Sequence, residues 1–221
     1  MPARMKLTDI NLIKALESPE YKEFYGIFQE RRFSKKQIIS LPDDEENLVI
    51  LVKKGRVRVF LSYEDKEFTL SILEQGDIYS SHTRALTQAL DDETVILVTD
   101  TKTFGQMILR FPQFSLIMVK VLGDLLRNSI TIINGLVFKE THARLAEFLV
   151  QAVKDKGEVV GKEIKLKLGL NVEEIANVLG ATRQTVSVLL NDFYKTRILK
   201  KEDRHTIIIK DITMLQQIIE K

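Results

Sequence analysis

The polar side chains best suited to chemistry lie together late in the chain, at Arg183, Gln184 and Ser187. Arginine can grip O6 and N7 of guanine, glutamine can pair with N6 and N7 of adenine, and serine can donate or accept. Placed on a helix, the trio occupies the side opposite Val186, Leu189, Leu190 and Phe193, which would face inward. Thr182 just before it, and Lys200, Lys201 and Arg204 beyond it, are suited to the phosphate backbone. The chemistry implied is the reading of double-stranded DNA. Elsewhere no nucleophile with an adjacent base and no paired carboxylates stand out, so an enzyme is the least expected class.

The elements that must position this trio are written into Asn171 to Tyr194. Asn171 is a good N-cap, and Glu174 three residues on can reach back to the cap amide. Val172, Ile175, Ala176 and Leu179 line one face of a short helix. Gly180 stands where a helix end favours a left-handed residue, and Thr182 caps the helix that follows. Two helices joined by so tight a turn form a helix-turn-helix. Ile198 to Leu199 and Thr206 to Ile209 read as two strands around a basic tip, a wing able to lie on the backbone. Helix pairs with a glycine in the turn are common. It is the caps, the trio and the wing together that point to DNA.

Before this unit runs a long apolar segment, Pro112 to Phe138. As one helix its 27 residues would span about 40 Å. Met118, Val121, Leu125, Ile132 and Leu136 make one apolar stripe, and Leu122, Leu126, Ile130, Ile133 and Val137 a second. One stripe can pack on its own domain, which leaves the other for a partner, and a symmetric homodimer meeting along this seam satisfies both. A helix buried all round in one large core is the alternative. A membrane span is not expected, because Lys120, Asp124, Arg127 and Asn128 interrupt the run.

The first half reads as short strands. Asn47 to Val52 and Arg56 to Ser62 flank Lys53-Lys54-Gly55 as a hairpin, with the valines of Arg56 to Leu61 inward and its arginines toward water. Phe68 to Leu73 and Thr94 to Thr99 are further strands, and Gly76-Asp77 a turn. Ile78 to Glu93 fits poorly as strand, and Ala85 to Leu90 could form a helical turn or two. Ile10 to Leu16, Tyr21 to Phe28 and Lys102 to Leu109 read as short helices, with Ser18 a turn or cap residue. Short strands with turns at intervals near ten residues imply a small antiparallel barrel or roll. The fold class is α+β: an N-terminal antiparallel β-roll over 1–111, a dimerisation helix over 112–138, and a winged helix-turn-helix over 139–221. Phe138 marks the hinge. After Phe138, Thr141 to Val153 has helical spacing, Asp155 to Gly161 is a polar break, and Ile164, Leu166 and Leu168 alternate with lysines as a strand.

Composition agrees. Hydrophobic residues at 44% and charged residues at 29% suit a soluble globular protein. Residues 139–221 carry 15 Lys and Arg against 12 Asp and Glu, a weak lean toward an anionic partner. With no cysteine, disulfides, thiolate metal ligands and a cysteine nucleophile are excluded. The first residues are short and charged rather than a signal peptide, so a cytoplasmic location is expected.

A roll, a dimerising helix and a winged helix-turn-helix in this order resemble the catabolite activator and fumarate-nitrate regulator (CRP/FNR) family of bacterial transcription factors. The resemblance is carried by LVKKGRVRV at Leu51 to Val59, EQGDIY at Glu74 to Tyr79 and ATRQTVSVLLNDF at Ala181 to Phe193. It implies a cyclic-nucleotide-binding-like jelly roll in which a ligand event reorients two DNA-binding domains on a palindromic site, and contact with RNA polymerase. The cyclic-nucleotide members hold phosphate with a glutamate and an arginine followed by a hydroxyl residue. Here Ser80-Ser81-His82-Thr83-Arg84-Ala85 departs from that pattern. The iron-sulfur members need cysteines that this chain lacks.

GDIYSSHTRA, with VKVLGDLLRNSITIINGLVFKE at Val119 to Glu140, is similar to the carbon-monoxide-sensing haem activators of the family. By that resemblance His82 binds the iron of haem b on one side. The N-terminal amine of the partner subunit, here Pro2 after loss of Met1, binds the other. Carbon monoxide displaces the amine and settles against Leu122, Leu125 and Leu126. Asn47 is a candidate to orient the second imidazole nitrogen. Some such activators use a cysteine two residues before the histidine as a ferric ligand. Ser80 stands there, so the His82 and Pro2 pair is expected in both oxidation states. The same fold answering to a different small effector, an organic acid or a nucleotide, is the alternative.

Overall fold

The computed structural model describes residues 11–42, 44–64, 66–161, 163–203 and 206–220. It divides into two compact units whose boundary falls between Asn128 and Ser129.

The first unit opens with two short helices, α1 (Leu12–Leu16) and α2 (Lys22–Gly26), joined by a 3-10 turn at Pro19–Tyr21. Eight strands follow: β1 (Gln29–Phe33), β2 (Ile38–Ser40), β3 (Leu48–Lys54), β4 (Val57–Tyr63), β5 (Lys66–Leu73), β6 (Ile78–Ser80), β7 (Leu86–Ala89) and β8 (Thr94–Asp100). They form two antiparallel sheets, ordered β1-β8-β3-β6 and β2-β7-β4-β5. This is the expected roll.

β3 is buried along most of its length because it separates two cores. Val49 and Leu51 belong to one cluster, with Phe24, Met107, Phe114 and Val121. Ile50 and Val52 belong to the other, with Val57, Val59 and Leu73 of the opposite sheet. The two-residue period of a strand sends alternate side chains to opposite faces, so a strand with a core on each side reads as an unbroken apolar run. Full burial of a side chain such as Ile50 contributes about 1.5 to 3 kcal/mol. On the helical side, Phe24 lies 4.7 Å from Phe114 and 5.4 Å from Phe104 between ring centroids, tying α2 to α3 (Thr101–Arg110) and α4 (Gln113–Phe138).

Three expectations for this unit are corrected. β3 and β4 do not form a hairpin, since β3 pairs with β6 and β8 while β4 pairs with β5 and β7. Gly55, at φ 76°, instead turns the chain from one sheet to the other. Ala85 to Leu90 holds strand β7 rather than helical turns. Arg58 does not face water: it is buried, its Nη1 donates to Glu67 at 2.6 Å, its Nε donates to Thr69 at 2.8 Å, and its guanidinium carbon lies 4.2 Å from the Phe60 ring centre.

α4 confirms the two-stripe pattern. Val121 and Ile132 are buried and Met118 and Leu125 half-buried, while Leu122, Leu126, Ile130, Ile133 and Val137 are each 56 to 63% exposed. Leu136, assigned to the inner stripe, is 43% exposed.

The second unit continues from α4 with α5 (Thr141–Lys156), β9 (Gly157–Val160), β10 (Glu163–Lys167), α6 (Val172–Leu179), α7 (Arg183–Lys195), β11 (Leu199–Lys201), β12 (Thr206–Ile209) and α8 (Ile212–Glu220). The strands form an antiparallel sheet ordered β11-β12-β10-β9. Leu145, Phe148 and Leu149 of α5, Ile175 and Leu179 of α6, Val186 and Phe193 of α7 and Leu215 of α8 are buried. The expected polar break at Asp155 to Gly161 is corrected to the end of α5 and strand β9, an edge strand whose Val159 and Val160 are exposed.

Candidate functional site

The helix-turn-helix is built as its caps require. The Asn171 side chain accepts from the Glu173 and Glu174 amides at 2.9 and 3.0 Å, and the Asn171 amide donates to the Glu174 carboxylate at 2.7 Å. Gly180 takes φ 63° and ends α6, where a side chain would be strained. The Thr182 hydroxyl accepts from the Thr185 amide at 3.1 Å and starts α7. Val186, Leu190 and Phe193 bury the inner face of α7; Leu189, expected there too, is only half-buried.

Arg183 and Gln184 stand exposed at the start of α7, and Ser187 one turn on is half-buried. Lys200 and Lys201 are exposed on β11, and Arg204 lies outside the described residues. A helix N-terminus with exposed donors suits phosphate contact through Thr182 and base contact through the side chains just inside it. Val188, 66% exposed on the same helix, was not singled out from sequence, although it lies five residues beyond Arg183.

Arg144 was also missed. Its Nη1 donates to the Lys139 carbonyl at 2.8 Å, its Nε to the Leu179 carbonyl at 3.1 Å, and its Nη2 to the Thr141 hydroxyl at 3.1 Å. One guanidinium thereby joins the residue following α4 to the last residue of α6. Phe138, the expected hinge, ends α4 and is 79% exposed.

In the roll, β6 pairs with β3 in the register Val49 to Ser80 and Leu51 to Ile78. Ser81, next along, is buried and fastened to the start of β3. Its amide donates to the Leu48 carbonyl at 2.8 Å, and its hydroxyl accepts from the Leu48 amide at 2.8 Å. The bend that follows presents His82 as an exposed side chain. The hydroxyl of Ser80 lies 2.5 Å from Nδ1 of His82, and the Tyr79 and Thr83 hydroxyls are hydrogen-bonded across the same bend. Burial pushes the Tyr79 phenol above its usual pKa, so it stays neutral. Nδ1 thus faces the Ser80 hydroxyl, and the Asn47 backbone carbonyl accepts from the Thr101 amide.

Leu125 of α4 packs against both roll clusters, one of which includes Ile78 and the other Tyr79 and Ala85. The His82 segment and the first half of α4 thus share cores. Leu122 and Leu126 on either side of Leu125 are each 62% exposed. Pro2 lies outside the described residues.

The donor set fits a haem better than a bare metal ion. Among the described residues no group of three or more His, Cys, Asp or Glu side chains could hold a cation. A porphyrin brings four nitrogen ligands of its own and asks the protein for only one or two axial ones. A single exposed imidazole with its Nδ1 engaged matches that need. A separate cavity of about 590 Å³, lined in part by Gln29, Arg31, Asn47 and Asp100, does not include His82. Of its charged residues, Arg31 faces Glu46 at 3.6 Å and Asp100 caps α3.

Roll, long helix and capped helix-turn-helix with a wing together make the architecture of a two-part DNA-binding regulator. A Crp-like helix-turn-helix domain matches residues 143–218. Three solved structures are similar over the chain. A doubly substituted variant of CooA from Carboxydothermus hydrogenoformans is 58% identical, with a TM-score of 0.91, over 97% of this chain and 98% of that one. The imidazole-bound form of the CO-dependent transcription factor CooA from that organism is 58% identical, with a TM-score of 0.56, over 98% and 99% of the two chains. The haem domain of the same organism's CooA is 60% identical, with a TM-score of 0.51, over 59% of this chain and 96% of that one. The chain belongs to the CRP/FNR family of transcription regulators, on its CooA branch.

Proposed function

We propose that this protein is a cytoplasmic, homodimeric, haem-dependent transcriptional activator that responds to carbon monoxide. The observation that carries the reading is His82, exposed on a bend fastened to β3, its Nδ1 engaged by Ser80, in a chain 58% identical to a CO-dependent transcription factor. The functional division is a haem-binding roll over residues 1–111, a dimerisation helix over 112–138 and a DNA-binding domain over 139–221.

His82 would hold the iron of haem b through Nε2, together with the N-terminal amine of the partner's Pro2. The chemistry the haem supplies is exchange of that amine for carbon monoxide. An α-amine has a pKa of about 7.7 to 8 in model peptides, so it gives up its proton to bind a metal at modest cost. It is also tethered only at a chain end. Leu125 stays between the two roll clusters, while Leu122 and Leu126 offer apolar surface that repacks once the N-terminal segment leaves. Contact with a diatomic molecule is small in energy. The response must come from releasing one packing in favour of another, passed along α4 to the hinge at Phe138.

Two α7 helices related by a dimer axis would enter successive major grooves of a palindromic site, about 34 Å apart. Arg183, Gln184 and Ser187 read bases there, while Thr182, Lys200, Lys201 and Arg204 hold the backbone. RNA polymerase is the partner of an activator so placed. The test is the absorption spectrum of the reduced, haem-loaded protein before and after carbon monoxide, with mass analysis of the N-terminus for loss of Met1. A shifted and sharpened Soret band supports the reading, and an unchanged spectrum overturns it.

A further inference from the structure

We infer that Val188 is a base-reading residue of α7: its methyl groups pack on the C5-methyl group of a thymine in the major groove. The inference rests on the placing of α7 in that groove and adds an apolar reader to the polar trio. Val188 is 66% exposed, and among the described residues of α7 it is the one exposed apolar side chain. Val186, Leu190 and Phe193 bury the opposite face. Val188 stands four residues beyond Gln184, so the helical period places it one turn farther along the same side. Gln184 and Asn191, its neighbours on that side, are exposed and polar. A patch built to dock another protein would be apolar around it.

In the free protein this valine gains nothing from its place. A β-branched side chain loses rotamer freedom in a helix, and an exposed one buries no surface in return. The same stiffness becomes useful in a complex, because both methyl groups are held in one direction. The thymine C5-methyl is the one apolar group that base edges show in the major groove, and cytosine has a hydrogen in its place. A methyl-to-methyl contact therefore separates T·A from C·G. Arg183, Gln184 and Ser187 read by hydrogen bonds and cannot make that distinction through the methyl group. The rise of the helix sets Val188 about 6 Å beyond Gln184 along the axis, close to two base-pair steps.

The test uses the full-length, haem-loaded protein under carbon monoxide and a duplex that the parent enriches from a randomised pool. Each thymine of one half-site is replaced in turn by deoxyuridine, which removes the methyl group but keeps the base pairing and the carbonyl acceptor. Anisotropy titration of the parent should find a thymine at which affinity falls about fourfold, the worth of one buried methyl. Val188→Ala, which suits an exposed helix position at least as well as valine, should bind the thymine duplex more weakly and lose its sensitivity at that base. Its dependence on salt should equal the parent's, because no phosphate contact is removed. A parent indifferent to deoxyuridine at every position, a Val188→Ala protein that still senses the same thymine, or an altered salt dependence overturns the inference. The scan of the parent needs no variant to fold. A pool from which no sequence is enriched instead overturns base reading by α7, and this inference with it.

Discussion

The Nε of Arg144 donates to the Leu179 carbonyl at 3.1 Å while Nη1 of the same guanidinium donates to the Lys139 carbonyl at 2.8 Å. Both acceptors lie where a helix ends or has just ended and carbonyls lack helical partners, and one planar cation serves both. Arg144→Ala should destabilise the protein by about 1 to 3 kcal/mol in urea denaturation, because partly buried acceptors are left unpaired. Arg144→Lys should recover only part of this, since a single ammonium is a poorer bridge than a rigid fork. Equal midpoints for Arg144→Ala and the parent would show that the clamp contributes nothing.

Base reading and backbone holding separate by experiment. Arg183→Ala should cost about 1 to 3 kcal/mol of discrimination between matched and scrambled operators, measured by fluorescence anisotropy. Lys200→Ala should weaken both operators alike and lower the slope of log affinity against log salt by about one. Equal losses on both operators for Arg183→Ala would remove it from the base edges.

The parts legible in sequence were those set by local chemistry. The caps Asn171, Glu174, Gly180 and Thr182 delimit α6 and α7 within a few residues of chain, and the two stripes of α4 follow from its period alone. Strand partners were not legible. Lys53-Lys54-Gly55 has turn chemistry that serves a hairpin or a crossing between sheets equally well, and nothing local decides between β5 and β3 as the partner of β4. β6 and β7 are short and rich in Ser, Thr and Gln, without the β-branched run that marks a strand. Arg58 looked solvated because its neighbours in sequence alternate, yet Glu67 and Thr69 on β5 give a buried guanidinium its partners. The Ser80 to His82 contact did have a signal: residues two apart at a strand end share a face.

The outward face of α4 makes a direct prediction about assembly. Ile130 and Ile133 are 56 and 59% exposed in the single chain, on the same stripe as Leu122 and Leu126. If the seam is closed by a second copy, Ile130→Glu buries an unpaired carboxylate, at a cost of about 3 kcal/mol or more, at least a hundredfold in dimer dissociation. Sedimentation velocity at micromolar protein should show the monomer for Ile130→Glu and the dimer for the parent. A dimer that survives Ile130→Glu and Ile133→Glu together would move the interface elsewhere.

Acid should act on the roll through Asp91. Arg56 donates to its two carboxylate oxygens through Nε at 3.1 Å and Nη2 at 2.7 Å, and that bond holds the carboxyl below its ordinary range. Since the folded form binds the proton more weakly than the unfolded chain, the stabilisation is complete above the unfolded pKa of about 3.9 and lost as pH falls through the folded value. The side chains remain 24 and 35% exposed, so solvent screening limits the pair to about 0.5 to 1 kcal/mol. Asp91→Asn should therefore lie below the parent by that amount at pH 7 and approach it below pH 3, about one unit under the unfolded pKa, in urea midpoints taken along the series. A difference that stayed constant to acid would mean that the substitution acts through packing at the end of β7 rather than through charge.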